Sequence, residues 1–245
     1  TTSDVDKRRI LETVLETVGD RATVVAGAGT NDTLHTVKLA KDARDSGAHG
    51  LLVVTPYYNK PPQEGLYRHF VQAAEATELP VMLYDIPGRS GVPIATETLI
   101  RLAQHERIVA VKDAKGDLFA GSQVMNSTDL VFYSGDDALN LAWLAHGAAG
   151  FVSVVGHVVG SELHRMIDLH RAGRVGDALA VHRQLLPVVD GIMMKAGGAI
   201  MVKAALGMVG QDVGTTRPPL VDADEKQNAE LRACLVAGGV KLTDS

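Results

Sequence analysis

Six short aliphatic runs separated by amphipathic stretches constrain this chain more than any other feature. The runs at 22–29, 50–58, 81–87, 108–114, 130–137 and 150–156 are rich in Val, Ile, Leu and Ala and read as buried strands. Between them, 31–46, 64–77 and 96–105 carry helical periodicity with one polar face. Nearly continuous apolar strands joined by helices pair in parallel and are covered on both faces, as in a barrel or a doubly wound sheet. The placement of polar residues favours the barrel. Tyr57, Tyr58, Tyr84, Lys112, Asp136 and Asp137 lie toward the C-terminal ends of their strands, the rim on which barrels assemble their chemistry. Gly27-Ala28-Gly29 lacks the third glycine and the later acidic residue of a dinucleotide fingerprint, so it reads as a turn.

The two ends follow another pattern. Residues 1–18 read as a helix, with Ser3 as N-cap, Asp6 three positions later, and Ile10, Leu11, Val14, Leu15 and Val18 along one face. From Val158 onward only helical periodicity is present, at 161–170, 175–194, 199–208 and 224–237, interrupted by glycines and by Arg217-Pro218-Pro219. The expected fold is α/β, a (β/α)8 TIM barrel over residues 1–157 with a C-terminal helical region over 158–245 that includes the last barrel helix. A closed barrel of this kind needs about eight strands, so the first two are expected to be absent from this sequence. An open parallel edge would aggregate.

Composition removes several function classes. No apolar run reaches the roughly 18 residues of a membrane span, and residues 1–20 are polar rather than signal-like. The expectation is a soluble, cytoplasmic protein. Cys234, the sole cysteine, cannot form an internal disulfide and reads as a small packing residue. A net charge of −5 without a Lys/Arg block argues against nucleic acid and acidic membranes. The nine histidines show no ligand spacing, so no metal is expected.

The chemistry concentrates on a lysine inside an apolar strand, Val109-Ala110-Val111-Lys112-Asp113-Ala114. Desolvation lowers a lysine from its usual value of about 10.4 and supplies the neutral amine that attacks a ketone. The resulting protonated imine withdraws electrons, so a neighbouring methyl can lose a proton and become a carbon nucleophile. A structural ion pair with Asp113 or Asp117 fits the same position. In the preceding unit, Tyr84 stands before a proline-set turn and can relay protons. Arg89, between glycines, suits a bidentate pair with a carboxylate. Each has an ordinary alternative, since tyrosines often end strands as packing residues and loop arginines are usually solvated.

Four segments together resemble the dihydrodipicolinate synthase family, also called 4-hydroxy-tetrahydrodipicolinate synthases, and actinobacterial members above all. They are Val54-Thr55-Pro56-Tyr57-Tyr58-Asn59-Lys60-Pro61, Tyr84-Asp85-Ile86-Pro87-Gly88-Arg89-Ser90-Gly91, Val111-Lys112-Asp113-Ala114-Lys115-Gly116-Asp117 and Tyr133-Ser134-Gly135-Asp136-Asp137. The resemblance implies that Lys112 forms an imine with pyruvate, whose enamine attacks L-aspartate 4-semialdehyde, with no cofactor. It implies that Tyr84 relays protons and that Arg89 binds the semialdehyde carboxylate. Val152 and Ser153 would lie beside pyruvate, and Tyr58 would reach into a neighbouring subunit of a homotetramer, a dimer of dimers.

Two departures from the family pattern carry expectations. The Gly-Thr-Thr-Gly-Glu-Ser-like loop after the family's second strand is absent, so a polypeptide with only these residues is expected to be inactive or unfolded. Lysine-inhibited relatives place a glutamate at the position of His35 and a histidine at that of Lys7, near Asn31 and Tyr57. A cationic Lys7 would repel the effector's ammonium, so weak or absent feedback by lysine is expected. The competing readings are another pyruvate-dependent lyase, of the N-acetylneuraminate or keto-deoxy-sugar-acid type, and a non-catalytic ligand-binding barrel. The loop carrying Arg89 suits a short acceptor with its own carboxylate better than a polyol.

Overall fold

The computed structural model describes residues 2–243, which fall into two compact units, residues 2–133 and residues from 134 onward. The first unit opens with helix α1 (Asp4–Val18), capped as its sequence predicts. Ser3 Oγ accepts the Asp6 N–H at 3.1 Å, and the Asp6 carboxylate accepts the Ser3 N–H at 3.2 Å.

Strands β1 (Val25–Gly27), β2 (Gly50–Val54), β3 (Val81–Asp85), β4 (Ile108–Asp113) and β5 (Val131–Ser134) lie side by side in chain order, and the pairs from β1 to β4 are parallel. Each is shorter than the apolar run that predicts it. Hydrophobicity marks burial, whereas a ladder needs N–H donors, and Pro56 and Pro87 remove them just past β2 and β3. At the start of β1 the Val24 N–H is taken by His49 Nδ1 at 2.9 Å rather than by a strand. The turn expected at Gly27-Ala28-Gly29 is not one. Gly27 ends β1, the Ala28 N–H donates to the Leu52 carbonyl at 3.0 Å, and Gly29 passes so close to the Val54 backbone that a Cβ would strike its amide nitrogen.

Helices α2 (Thr33–Asp45), α3 (Gln63–Glu75), the single turn α4 (Pro87–Ser90), α5 (Thr96–Leu102) and α6 (Leu118–Ser127) connect these strands. Asp32 and Asp117 cap α2 and α6, accepting the N–H groups of Leu34 and Ala120, both at 2.9 Å. Alternation along the strands buries Leu51, Val53, Val81 and Leu83 completely, as are Leu66 and Phe70 of α3 and Leu102 of α5. The β3–β4 register shifts by one: Val81 pairs with Ile108, but Met82 pairs with Ala110, so Val109 bulges out of the ladder.

The second unit is mostly helical. Strand β6 (Gly150–Phe151) is only two residues long, against a predicted run to Gly156. After the Val152 N–H reaches the Ser134 carbonyl at 2.8 Å, Asp137 draws off the N–H groups of Val154 and Val155, and Ser153 Oγ takes that of Gly156. Those donors begin a helix instead of a strand. Helix α7 (Asn140–Ala145) precedes β6; α8 (Gly156–Arg171), α9 (Val175–Val189), α10 (Gly198–Met208) and α11 (Glu225–Ala237) follow it. The 175–194 helix is corrected in part: after Val189, residues Asp190–Met194 form a π-turn. Leu163, Met166, Val181, Leu185, Val188, Met201, Leu231 and Leu235 pack into one core. Cys234 is a packing residue there, and a Cβ on Gly191 would come within 2.7 Å of its Cβ.

Candidate active site

Tyr84 and Lys112 are directly opposite in the β3–β4 ladder, so both side chains project from the same face. Lys112 Nζ lies 3.9 Å from the centroid of the Tyr84 ring. The Tyr84 backbone is held from the other side by Thr55, whose N–H and Oγ–H both donate to its carbonyl, at 2.9 and 3.0 Å. Thr55 is wholly buried. Burial pushes the Tyr84 phenol above its ordinary value, and the charge of Arg89 draws it partly back. The group therefore keeps its proton at neutral pH and is able to donate it.

Arg89 sits in α4, exposed, and makes no ion pair among the described residues. The turn beneath it is rigid. Ser90 Oγ donates to the carbonyls of Ile86 and Val92, at 3.0 and 2.9 Å. Gly91 closes the turn at φ 82°, where the Lys60 stem lies so near that an added Cβ would approach its Cε to 2.8 Å.

Behind this face, on the opposite side of the same two strands, Asp85 and Asp113 are paired and fully buried. Asp85 Oδ1 accepts the Ile94 N–H at 3.2 Å, and its Oδ2 faces Lys115 Nζ at 3.5 Å. Lys115 Nζ also donates to the Ile94 carbonyl at 3.4 Å. Asp113 Oδ1 accepts the N–H groups of Lys115 and Gly116, at 3.0 and 2.9 Å. Burial pushes Asp85 up to about 6 against the pull of Lys115, and raises Asp113 as well. From α3, Gln63 donates to the Pro93 carbonyl at 2.9 Å and accepts the Ala95 N–H at 3.0 Å.

The remaining predicted residues divide into groups. Tyr58 stands at φ 74° and is 89% exposed, beside a half-exposed Tyr57. Their loop is tied to the one after β1, where Asn59 Nδ2 donates to the Asn31 carbonyl at 2.9 Å. His35 and Lys7 are brought together by a residue the sequence did not single out: Asp4 lies 3.0 Å from His35 Nε2, 3.1 Å from Lys38 Nζ and 3.6 Å from Lys7 Nζ. Hydrogen bonds from His35 and Lys38 hold the Asp4 carboxyl at about 2. Val152 and Ser153 lie in the second unit, their backbone and hydroxyl engaged with Ser134 and Gly156. Asp136 and Asp137 there serve as caps, for Ala138 and for the start of α8.

Comparison with known proteins gives one answer. The chain is 58% identical over 242 residues to 4-hydroxy-tetrahydrodipicolinate synthase 2 of Streptomyces coelicolor, covering 99% of this chain and 81% of that protein. It is 59% identical to the 4-hydroxy-tetrahydrodipicolinate synthase of Acidothermus cellulolyticus over 98% of this chain and 77% of that one. The crystal structure of a dihydrodipicolinate synthase from Cyanidioschyzon merolae with lysine bound superposes with a TM-score of 0.95 at 38% identity, over 98% of this chain and 83% of that one. Solved structures of this group are of the TIM-barrel class, in agreement with the parallel βα order seen here. A family model matches residues 1–237, and the chain belongs to the Dihydrodipicolinate synthetase family.

Proposed function

We propose that this protein condenses pyruvate with L-aspartate 4-semialdehyde to give 4-hydroxy-tetrahydrodipicolinate. The observation that carries the reading is the pairing of Lys112 with Tyr84 on one face of adjacent strands, 3.9 Å from amine to ring centre. The amine attacks C2 of pyruvate, and the Tyr84 hydroxyl supplies the proton with which the carbinolamine oxygen leaves as water. Loss of a proton from C3 gives the enamine, whose carbon adds to the semialdehyde aldehyde. The substrate's own amine then attacks C2, closes the ring and releases Lys112. Arg89 receives the semialdehyde carboxylate, a role supported by its exposure on a rigid turn and by the lack of a competing ion pair among the described residues. Neither metal nor organic cofactor is needed.

In this reading the fold is an eight-stranded (β/α) barrel. The protein is cytoplasmic and forms a homotetramer, a dimer of dimers. The 89% exposure of Tyr58 supports its insertion into a neighbouring site. No helix among the described residues is long and apolar enough to cross a membrane.

Borohydride reduction in the presence of pyruvate, followed by peptide mass spectrometry, tests the reading. A reduced pyruvyl adduct is expected on Lys112. Its absence, or its appearance on another lysine, overturns the assignment. A polyol-specific lyase would form the same adduct but would not turn over the semialdehyde.

A further inference from the structure

The contacts behind the sheet join the two loops that carry the chemistry. The carboxylate of Asp113, next to Lys112, fixes the backbone of Lys115 and Gly116. From there the Lys115 stem crosses to the neighbouring unit, where its ammonium reaches the Ile94 carbonyl of the loop and the carboxylate of Asp85 at the end of β3. Asp85 takes the N–H of the same residue, so Ile94 is gripped at both ends of its backbone. Five residues before it stands Arg89, on a turn already stiffened by Ser90 and Gly91.

We propose that Lys115 is a positioning residue for acceptor binding, because it refers the Arg89 loop to the strand that carries Lys112. A lysine only 14% exposed is costly to bury and is retained where its partners are fixed. Here those partners are a backbone carbonyl of the adjacent loop and the buried carboxylate that ends β3, not a surface acid. Gln63 grips Pro93 and Ala95 independently, so loss of Lys115 loosens the loop and does not release it. The distance from Lys112 to the acceptor carboxylate then becomes variable, while pyruvate, held at Lys112 itself, is unaffected.

The proposal rests on the reading of Arg89 as the acceptor's carboxylate ligand. Its test is steady-state kinetics of Lys115→Met and Lys115→Arg with both substrates varied, alongside borohydride trapping by pyruvate. The expected result for Lys115→Met is a KM for the semialdehyde raised about tenfold, with the KM for pyruvate and the trapping curve unchanged. Lys115→Arg, which keeps a donor on a long stem, is expected to recover most of that loss. An unchanged semialdehyde KM overturns the proposal, as does a uniform loss of active protein with both KM values intact. If Lys115→Met does not fold, the double variant Asp85→Asn/Lys115→Met removes the stranded carboxylate, and the same outcomes apply. Failure of the wild-type protein to trap pyruvate at Lys112 would instead remove the reading beneath the proposal, whatever Lys115 does.

Discussion

Lys112 Nζ lies over the face of the Tyr84 ring, one strand away and level with it in the ladder. The proposed nucleophile and its proposed proton relay are thus set by backbone pairing, with no intervening loop. Two substitutions separate their roles. Lys112→Ala is expected to abolish both adduct and turnover. Tyr84→Phe keeps the ring under the amine but removes the proton, so kcat should fall by about 10² to 10⁴ while slow trapping of pyruvate persists. Rapid-quench trapping measures the difference; equal rates of imine formation in wild type and Tyr84→Phe would remove the tyrosine from the mechanism.

Arg89 offers a fork of donors that a lysine does not reproduce. Replacing it with alanine should raise the semialdehyde KM by about 10- to 100-fold, the range for a hydrogen bond to a charged group. Pyruvate binding should not change. Initial-rate measurements at saturating pyruvate decide this.

Two buried groups give opposite pH dependences. His69 accepts or donates one bond, to Thr33 Oγ1 at 2.9 Å, while its Nε2 is buried without a hydrogen-bond partner among the described residues. Burial lowers it from 6.5 to about 4. The unfolded chain therefore binds more protons between those values, and His69 contributes stability that is full above 6.5 and lost as the pH falls toward 4, on the order of 3 kcal/mol. Asp85 is raised from 3.8 to about 6, so its contribution falls as the pH rises through that window. The two offset each other in wild type. Relative to it, His69→Gln should gain stability as the pH falls from 6.5 to 4, and Asp85→Asn should gain as the pH rises from 4 to 6. Urea denaturation across this range checks both slopes.

Asp4 bears on the expected response to lysine. Its carboxylate already has His35, Lys38 and Lys7 within reach, so an incoming ammonium would have to displace cations the chain supplies itself. Lysine should inhibit weakly at physiological concentration, as the substitutions at positions 7 and 35 predict. Lys38→Ala together with Lys7→Ala should strengthen inhibition, as read by the half-inhibitory lysine concentration; no change would detach the cluster from regulation.

The parts of this molecule legible in its sequence are those written in periodicity and in contiguous motifs. The βα alternation, the Ser3 cap and the segments around Tyr84, Arg89 and Lys112 are of that kind. Strand ends were not legible, because Pro56, Pro87 and the pull of Asp137 on Val154 and Val155 act on donors and leave hydrophobicity unchanged. Asp4 and Lys115 were missed for another reason. Asp4 meets His35 across 31 positions and Lys115 meets Ile94 across 21, and such contacts depend on the packing of two elements that no local pattern encodes. Asp85 and Lys115 belong to those contiguous motifs, yet only their burial gives them a role.

The bulge at Val109 has a further effect. Counted straight from the Val81–Ile108 pair, the ladder would set Val111 against Tyr84 and turn Lys112 to the helix-covered side, among the groups around Asp85. One looped-out residue exchanges the parity of everything downstream. The address of Lys112 Nζ is therefore an arithmetic property of strand β4, and a shortening by one residue ahead of position 110 would move the amine through the sheet while leaving every motif readable in the sequence.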